Sequence, residues 1–431
     1  MEAHRRAVLR AAAGLLATAL ALVVGGCTAT DDDRPPATIE ERGEALFVGE
    51  TFDGNGRACS SCHELDQFGT IRPEFVRERF EADPEGPLFR AIDSDHGLGL
   101  SYGRLKSHAT IRVLVDLPTH EATGLSVRKC DDPASTRAAL NRGIPSVFNV
   151  ALEDRLMHDG REGDDLAAQA LAAVRSHAEP GREPTQEELE ALAAFQQSLF
   201  SHEAVRRYFQ TGEAIELPAG TTESEKRGRV FFEPDRECGQ CHSGPMLNRT
   251  SEFHPLVIHS RFESALVGGG PLQPNERYRW CFVDPATDQV VPGPAGVPEV
   301  FPEPRHDPGL AIIPGSTEFL LPEDSMAAIP EEFVDGSRAV IPNEILAGVA
   351  GGPLYKIPTL WGTPDTAPYF HDNSARTLEE VLDQYNFFFA AIPENMALGC
   401  DREGPDCLDE QDKIDILNFM QLLAFEPAVS N

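Results

Sequence analysis

Apolar positions in this chain recur mainly at helical spacing, in short stretches separated by polar and proline-rich connections. Thr38-Ile39-Glu40-Glu41 has capping-box spacing and predicts a short helix through Phe47. Thr185-Gln186-Glu187-Glu188 opens another helix, with Leu189, Leu192 and Leu199 on one face. A third box, Thr222-Glu223-Ser224-Glu225, leads into Phe231-Phe232. Leu378, Val381, Leu382 and Tyr385 share one helical face, and Asp412 to Phe425 predicts a closing helix through Ile416, Phe419, Met420 and Leu423. Two stretches lack this pattern. Residues 64–135 read as an irregular polar excursion. Thirteen prolines between Pro271 and Pro342 exclude a long helix and predict ordered loop. Gln210 to Thr221 reads as a linker.

The N terminus follows a different pattern. Arg5-Arg6 and Arg10 precede the apolar run Ala11 to Val24, too short to span a bilayer comfortably, which predicts a signal peptide over residues 1–26. Val24-Gly25-Gly26-Cys27 resembles a bacterial lipoprotein processing site. Cys27 is then the lipid-bearing residue and the membrane anchor, and residues 27–37, with Asp31, Asp32 and Asp33, form a solvated tether. Ordinary secretion with Cys27 discarded is the alternative. Either route places the body outside the cytoplasm, facing the periplasm, where disulfides persist.

The predicted elements repeat. Arg42-Gly43 matches Arg227-Gly228, each on a helix before a cysteine motif. Ile144-Pro145-Ser146-Val147-Phe148 matches Ile357-Pro358-Thr359-Leu360-Trp361, 213 positions later. At the same offset Met157-His158-Asp159 falls on Phe370-His371-Asp372. One residue out of step, Leu166 falls on Leu378. Each half therefore runs from cysteine motif through a long excursion to an Ile-Pro turn, a His-Asp turn and a helix. That order predicts a tandem pair of domains, 38–209 and 222–426.

The cysteine motifs are Cys59-Ser60-Ser61-Cys62-His63 and Cys238-Gly239-Gln240-Cys241-His242. Cys-x-x-Cys-His is the attachment signature of c-type haem. Two thiols one helical turn apart add across the porphyrin vinyl groups, and the adjacent imidazole ligates iron. A zinc half-site or a redox dithiol shares the CxxC spacing. Two copies, each ending in His and both behind an export signal, favour two covalent haem c groups.

These segments carry a family resemblance. Ile357-Pro358-Thr359-Leu360, Thr366-Ala367-Pro368-Tyr369-Phe370-His371-Asp372 and Thr377-Leu378-Glu379-Glu380 resemble the bacterial di-haem cytochrome c peroxidase family, including MauG-type enzymes. Cys241-His242-Ser243-Gly244-Pro245 and Asp307-Pro308-Gly309 resemble it too, and the similarity covers most of residues 40–426. The resemblance implies a mainly α fold of two tandem class I cytochrome c-like domains with long irregular loop insertions. It implies that haem 1, on Cys59, Cys62 and His63, meets hydrogen peroxide, and that haem 2, on Cys238, Cys241 and His242, passes electrons to it. His63 and His242 are then the proximal iron ligands, and Tyr385 stands where the family has a distal Met or Tyr. A core tyrosine reads the same way, and Met396 and Met420 compete for the role. Thr366 and Pro368 match backbone positions that bind an interdomain calcium in the family; a plain structural turn is the alternative.

The first half departs from the family. Cleaving a peroxide needs an acid–base group beside iron. Where the family has glutamate, Leu166 is followed by Ala167. His158 replaces the usual aromatic before Asp159-Gly160-Arg161 and is the candidate acid–base residue, and Phe148 stands for an inter-haem tryptophan. His96, His108 and His120 lie in the excursion as surface residues or as a distal ligand closing haem 1. A non-catalytic electron-transfer cytochrome with two six-coordinate haems is the rival function.

The remaining cysteines are Cys130, Cys281, Cys400 and Cys407. Cys400 and Cys407 bracket a loop short enough to close as a disulfide, and Cys130 with Cys281 follows only by elimination. The formal charge is −33; the leader carries three Arg and one Glu, so its removal leaves −35. Such acidity excludes nucleic acid as a partner and suits a small basic electron donor, a cytochrome or cupredoxin. Solubility alone also accounts for it.

Overall fold

The structure is a computed structural model. It describes residues 37–117, 119, 124–153, 155–234, 236–239, 241–248, 278–293, 307, 309, 316–320, 334–335, 338–342, 355–391 and 407–426. Thr38–Asn431 is one compact unit.

Two helix crossings frame the unit. Helix α1 (Ile39–Gly49) packs across α5 (Gln186–Gln197), which α6 (Glu203–Thr211) follows, and α7 (Glu223–Val230) packs across a helix at Glu410–Met420, here α9. All four begin with a capping box, on Thr38, Thr185, Thr222 and Asp409, so their first backbone amides are satisfied without tertiary help. The repeated Arg-Gly pair has a steric cause. A Cβ on Gly43 would stand 1.9 Å from the Ala191 carbonyl oxygen, and one on Gly228 1.9 Å from that of Asp415. Only glycine lets these backbones approach so closely. One aromatic pair fills each crossing, Phe47 with Phe195 at 5.2 Å and Phe232 with Phe419 at 5.0 Å between centroids.

The 213-residue repeat is visible in the backbone. Asn149, Met157 and Gly160 have positive φ, and so do their counterparts Gly362, Phe370 and Asn373. The bridge Leu156–Glu162 recurs as Tyr369–Ala375. The hydroxyl of Ser146 donates to the Phe68 carbonyl and accepts from the Phe148 amide; Thr359 does the same with Met246 and Trp361. Where the halves meet, Gly143 N donates to His371 O at 2.7 Å and Lys356 N donates to His158 O at 3.1 Å. Residues 143 and 356, like 158 and 371, are equivalent in the repeat. The contact is therefore isologous, the pairing expected of a two-fold relation.

Residues 64–135 correct the expectation of an irregular insertion. They contain α2 (Pro73–Ala82), α3 (Gly103–His108), β1 (Ile111–Asp116) and β2 (Ser126–Lys129). Val76, Tyr102, Leu105, Ile111, Val113 and Val115 are buried in one core with Leu140, Ile144, Trp280 and Phe282. Alternating burial along β1 escapes a search for helical spacing because the strand is short and pairs with distant β3 (Arg137–Arg142). The proline-rich region likewise holds strands among its described residues. β4 (Trp280–Asp284) pairs with β2 and with β5 (Gln289–Val290). β6 (Ser316–Leu320) and β7 (Val334–Asp335) both pair with β8 (Arg338–Pro342). Cys130 and Cys281 form a disulfide beside the β2–β4 pair. Cys407 is also disulfide-bonded; Cys400 lies outside the described residues, as do Cys27 and the leader.

Candidate haem sites

Each cysteine motif opens onto a cavity. Cys59, Cys62 and His63 line the first, and Cys238, Cys241 and His242 line the second. In both, the histidine is held by the backbone. His63 Nδ1 lies 3.0 Å from the Gly69 carbonyl, and His242 Nδ1 lies 2.9 Å from that of Leu247. The Ile-Pro turn adds a second carbonyl in each half, from Pro145 and Pro358. A carbonyl on Nδ1 fixes the proton there and leaves Nε2 as the lone-pair nitrogen, the state an iron ligand requires. Burial lowers the pKa of both rings, that of His242 to about 4, so both are neutral.

The thiols weigh against a redox dithiol. Burial pushes Cys59 up to about 12 and Cys62 up to about 11, and Cys238 upward as well. Reactive dithiols need the opposite shift. Paired thiols, a backbone-oriented imidazole and largely apolar walls fit haem c in both halves. His63 and His242 would hold the iron, and the porphyrin would supply a one-electron couple.

The cavities share a wall. Ile144, Pro145, Ser146, Val150, His158 and Lys356 line both. Phe148 lines the second cavity and stacks edge-on against Phe425, 4.9 Å between centroids. Phe425 in turn packs at 4.6 Å on Phe68, which follows the first motif.

A helix lines each cavity, and the two begin in equivalent positions of the repeat. In the first half it is α4 (Leu166–Ala173) with the π-turn Val174–Ala178, presenting Leu166, Gln169, Ala170, Ala173, Val174 and His177. In the second it is α8 (Leu378–Ala391), presenting Leu378, Val381, Leu382, Tyr385 and Phe389. With the 212-residue offset, Tyr385 corresponds to Ala173 and Phe389 to His177. Met420 also reaches the second cavity; Met396 lies outside the described residues.

Other candidate residues are placed as follows. Ala167 packs against the apolar core of the first half and does not line the cavity. His158 lines both cavities, with Nε2 3.2 Å from the Gly143 carbonyl. Burial, followed by the His371 and Arg142 charges, lowers its pKa to about 3. Thr366 and Pro368 line the second cavity. His96 is exposed, His108 ends α3 with Nδ1 2.7 Å from Ser107 Oγ, and neither lines the first cavity. His120 lies outside the described residues. Arg142 lines the first cavity and is 2 % exposed, joined at 2.5 Å to both Asp159 and Asp307. Sequence reasoning missed this cluster because Asp307 lies far along the chain. It also missed His177, which belongs to no motif.

No protein-family model matches this sequence, and no curated protein does. Among solved structures, a MauG-like protein associated with microbial copper homeostasis aligns at 18% identity and TM-score 0.42, covering 92% of this chain and 91% of its own. The diheme peroxidase BthA from Burkholderia thailandensis E264 aligns at 15% identity and TM-score 0.44, covering 92% and 89%.

Proposed function

We propose that this chain is an exported di-haem c-type cytochrome acting as a peroxidase-like oxidoreductase, with electrons passing between haem 2 and haem 1. The observation that supports this best is the shared wall. Two cavities that share six lining residues suit electron tunnelling between groups held in them, which decays exponentially with distance. The cavities also differ in kind. The first cavity carries three arginines, Arg57, Arg142 and Arg161, that do not line the second, and these can orient a small polar substrate such as hydrogen peroxide. The second, with Tyr385 as a candidate distal ligand, suits the role of electron entry.

The chain's own residues then divide the work. Cys59, Cys62, Cys238 and Cys241 tether the porphyrins, and His63 and His242 ligate iron. Haem supplies the redox couple. Arg142, locked between Asp159 and Asp307, holds a fixed positive charge on the first cavity's wall, and the acidic surface suits a small basic electron donor.

A second reading, pure electron transfer, is favoured by one observation: the position where a glutamate was expected, Ala167, lies off the cavity wall. The two separate in one experiment. A reduced small c-type cytochrome is mixed with hydrogen peroxide and the protein, either intact or carrying Cys238→Ala/Cys241→Ala. Donor oxidation by the intact protein and its loss in the variant support the peroxidase reading. Electron uptake from the donor with no peroxide consumed supports pure transfer.

A further inference from the structure

Beside the first cavity lies a recess of about 350 Å³, walled by β1 and by α4 with its π-turn. A cavity of about 10–15 Å³ admits one water, so hydrogen peroxide alone needs no such space. Sites for small organic molecules begin at about 300 Å³.

The walls follow from the local sequence. Gln169, Ala172, Ala173 and Ser176 recur at helical spacing and share one face, and the π-turn Val174–Ala178 brings His177 beside them. Three of those four side chains are small, which leaves room that larger residues would fill. β1 supplies the apolar Val113, Leu114 and Val115. The recess meets solvent at Asp116 and Ser176, both exposed, and at the half-buried Glu162.

The recess adjoins the first cavity. Val113, Met157, Arg161, Gln169, Ala173 and His177 line both. Polar groups therefore stand at the junction. Arg161 is 15 % exposed, and its Nη1 is held by both Asp159 carboxylate oxygens at 3.0 and 3.2 Å. Gln169 Nε2 donates to the Met157 sulfur at 3.7 Å, a weak acceptor that a peroxide oxygen can displace. His177 Nδ1 is buried and has no hydrogen-bond partner, a cost that a bound polar group removes. Polar groups at the junction with apolar surface in the recess fit a ligand with a polar head and an apolar tail.

We propose that the recess receives the organic part of a small uncharged hydroperoxide, alkyl or aryl, whose O–O group lies in the first cavity. The proposal rests on the peroxidase reading above and names its substrate class. In the reaction ROOH takes up two electrons and two protons. The O–O bond breaks, one oxygen leaves as the alcohol ROH and the other as water. The reduced small donor supplies the electrons and solvent the protons. Arg161 and Gln169 orient the hydroperoxide oxygens, while Val113, Leu114 and Val115 cover the tail. Asp116 and Glu162 at the rim disfavour a tail that carries negative charge.

Oxidation of a reduced small c-type cytochrome is measured with hydrogen peroxide and with cumene hydroperoxide. The intact protein should turn over both. Ala172→Trp and Ser176→Trp fill the recess from positions that do not line the first cavity. Each should lower kcat/KM for cumene hydroperoxide by at least about tenfold and leave that for hydrogen peroxide within about twofold. Unchanged haem content and ferric spectrum show that each variant keeps its fold, and Ser176, being exposed, is the milder site. No turnover of either peroxide by the intact protein defeats the peroxidase reading and this proposal with it. Turnover of hydrogen peroxide but not of cumene hydroperoxide overturns the proposal alone. So does an equal change, or none, for the two peroxides in the variants.

Discussion

At the scale of single residues, Arg142 is the buried cation on the wall of the first cavity. It is almost fully buried between Asp159 and Asp307, gripping Asp307 through Nε and Nη2. Burial raises both carboxyls, but the Arg142 charge and its hydrogen bonds outweigh it, so both are lowered from the usual value. Depressed carboxylate pKa values stabilise the fold above the unfolded value of about 3.9, and that stabilisation is lost as pH falls through the native values. Arg142→Met leaves Asp307 buried without its cation and should cost about 3–5 kcal/mol at neutral pH. Its carboxyl then titrates upward, so the penalty should shrink on acidification towards pH 4. Thermal unfolding from pH 4 to 8 reads this directly; a penalty independent of pH removes the electrostatic account. Tyr385 carries a second prediction. If its phenolate binds haem 2, the anionic oxygen favours ferric iron, so Tyr385→Phe should alter the low-spin ferric spectrum and raise the haem 2 potential. An unchanged spectrum and potential would return Tyr385 to the core and promote Met420.

At the scale of elements, the sequence was legible where local chemistry is sufficient. Capping boxes at Thr38, Thr185 and Thr222 mark helix starts because side chain and backbone satisfy each other within four residues. The Arg-Gly repeat was legible as a pattern, but its cause, a carbonyl at the helix crossing, is tertiary. Gly43→Ala and Gly228→Ala should each destabilise by about 1–3 kcal/mol through overpacking. Arg42→Ala, a neighbour on α1 without that contact, should cost little. Equal effects at Gly43 and Arg42 in denaturant unfolding would remove the crossing argument. What stayed illegible depends on distant partners. β1 finds β3 only through pairing, and the core of residues 64–135 draws on Trp280 and Phe282. His177 escaped because a π-turn shifts the register on which helical-face reasoning depends.

At the scale of the whole molecule, a repeated order of motifs becomes two cavities with one wall between them. The repeat predicted two similar halves, and the backbone shows why they meet as they do: His158 and His371 each accept from the other half's Ile-Pro segment. The equivalent positions then diverge, with Ala173 and His177 in one wall and Tyr385 and Phe389 in the other. The central claim is that both cavities hold covalent haem, and it is tested most directly by counting. The protein is matured in a host that attaches c-type haem, as the intact chain and as Cys59→Ala/Cys62→Ala and Cys238→Ala/Cys241→Ala. Intact mass is then measured together with pyridine haemochrome. Two haems on the intact chain and one on each variant are predicted. One haem, none, or bound zinc on the intact chain would contradict the account.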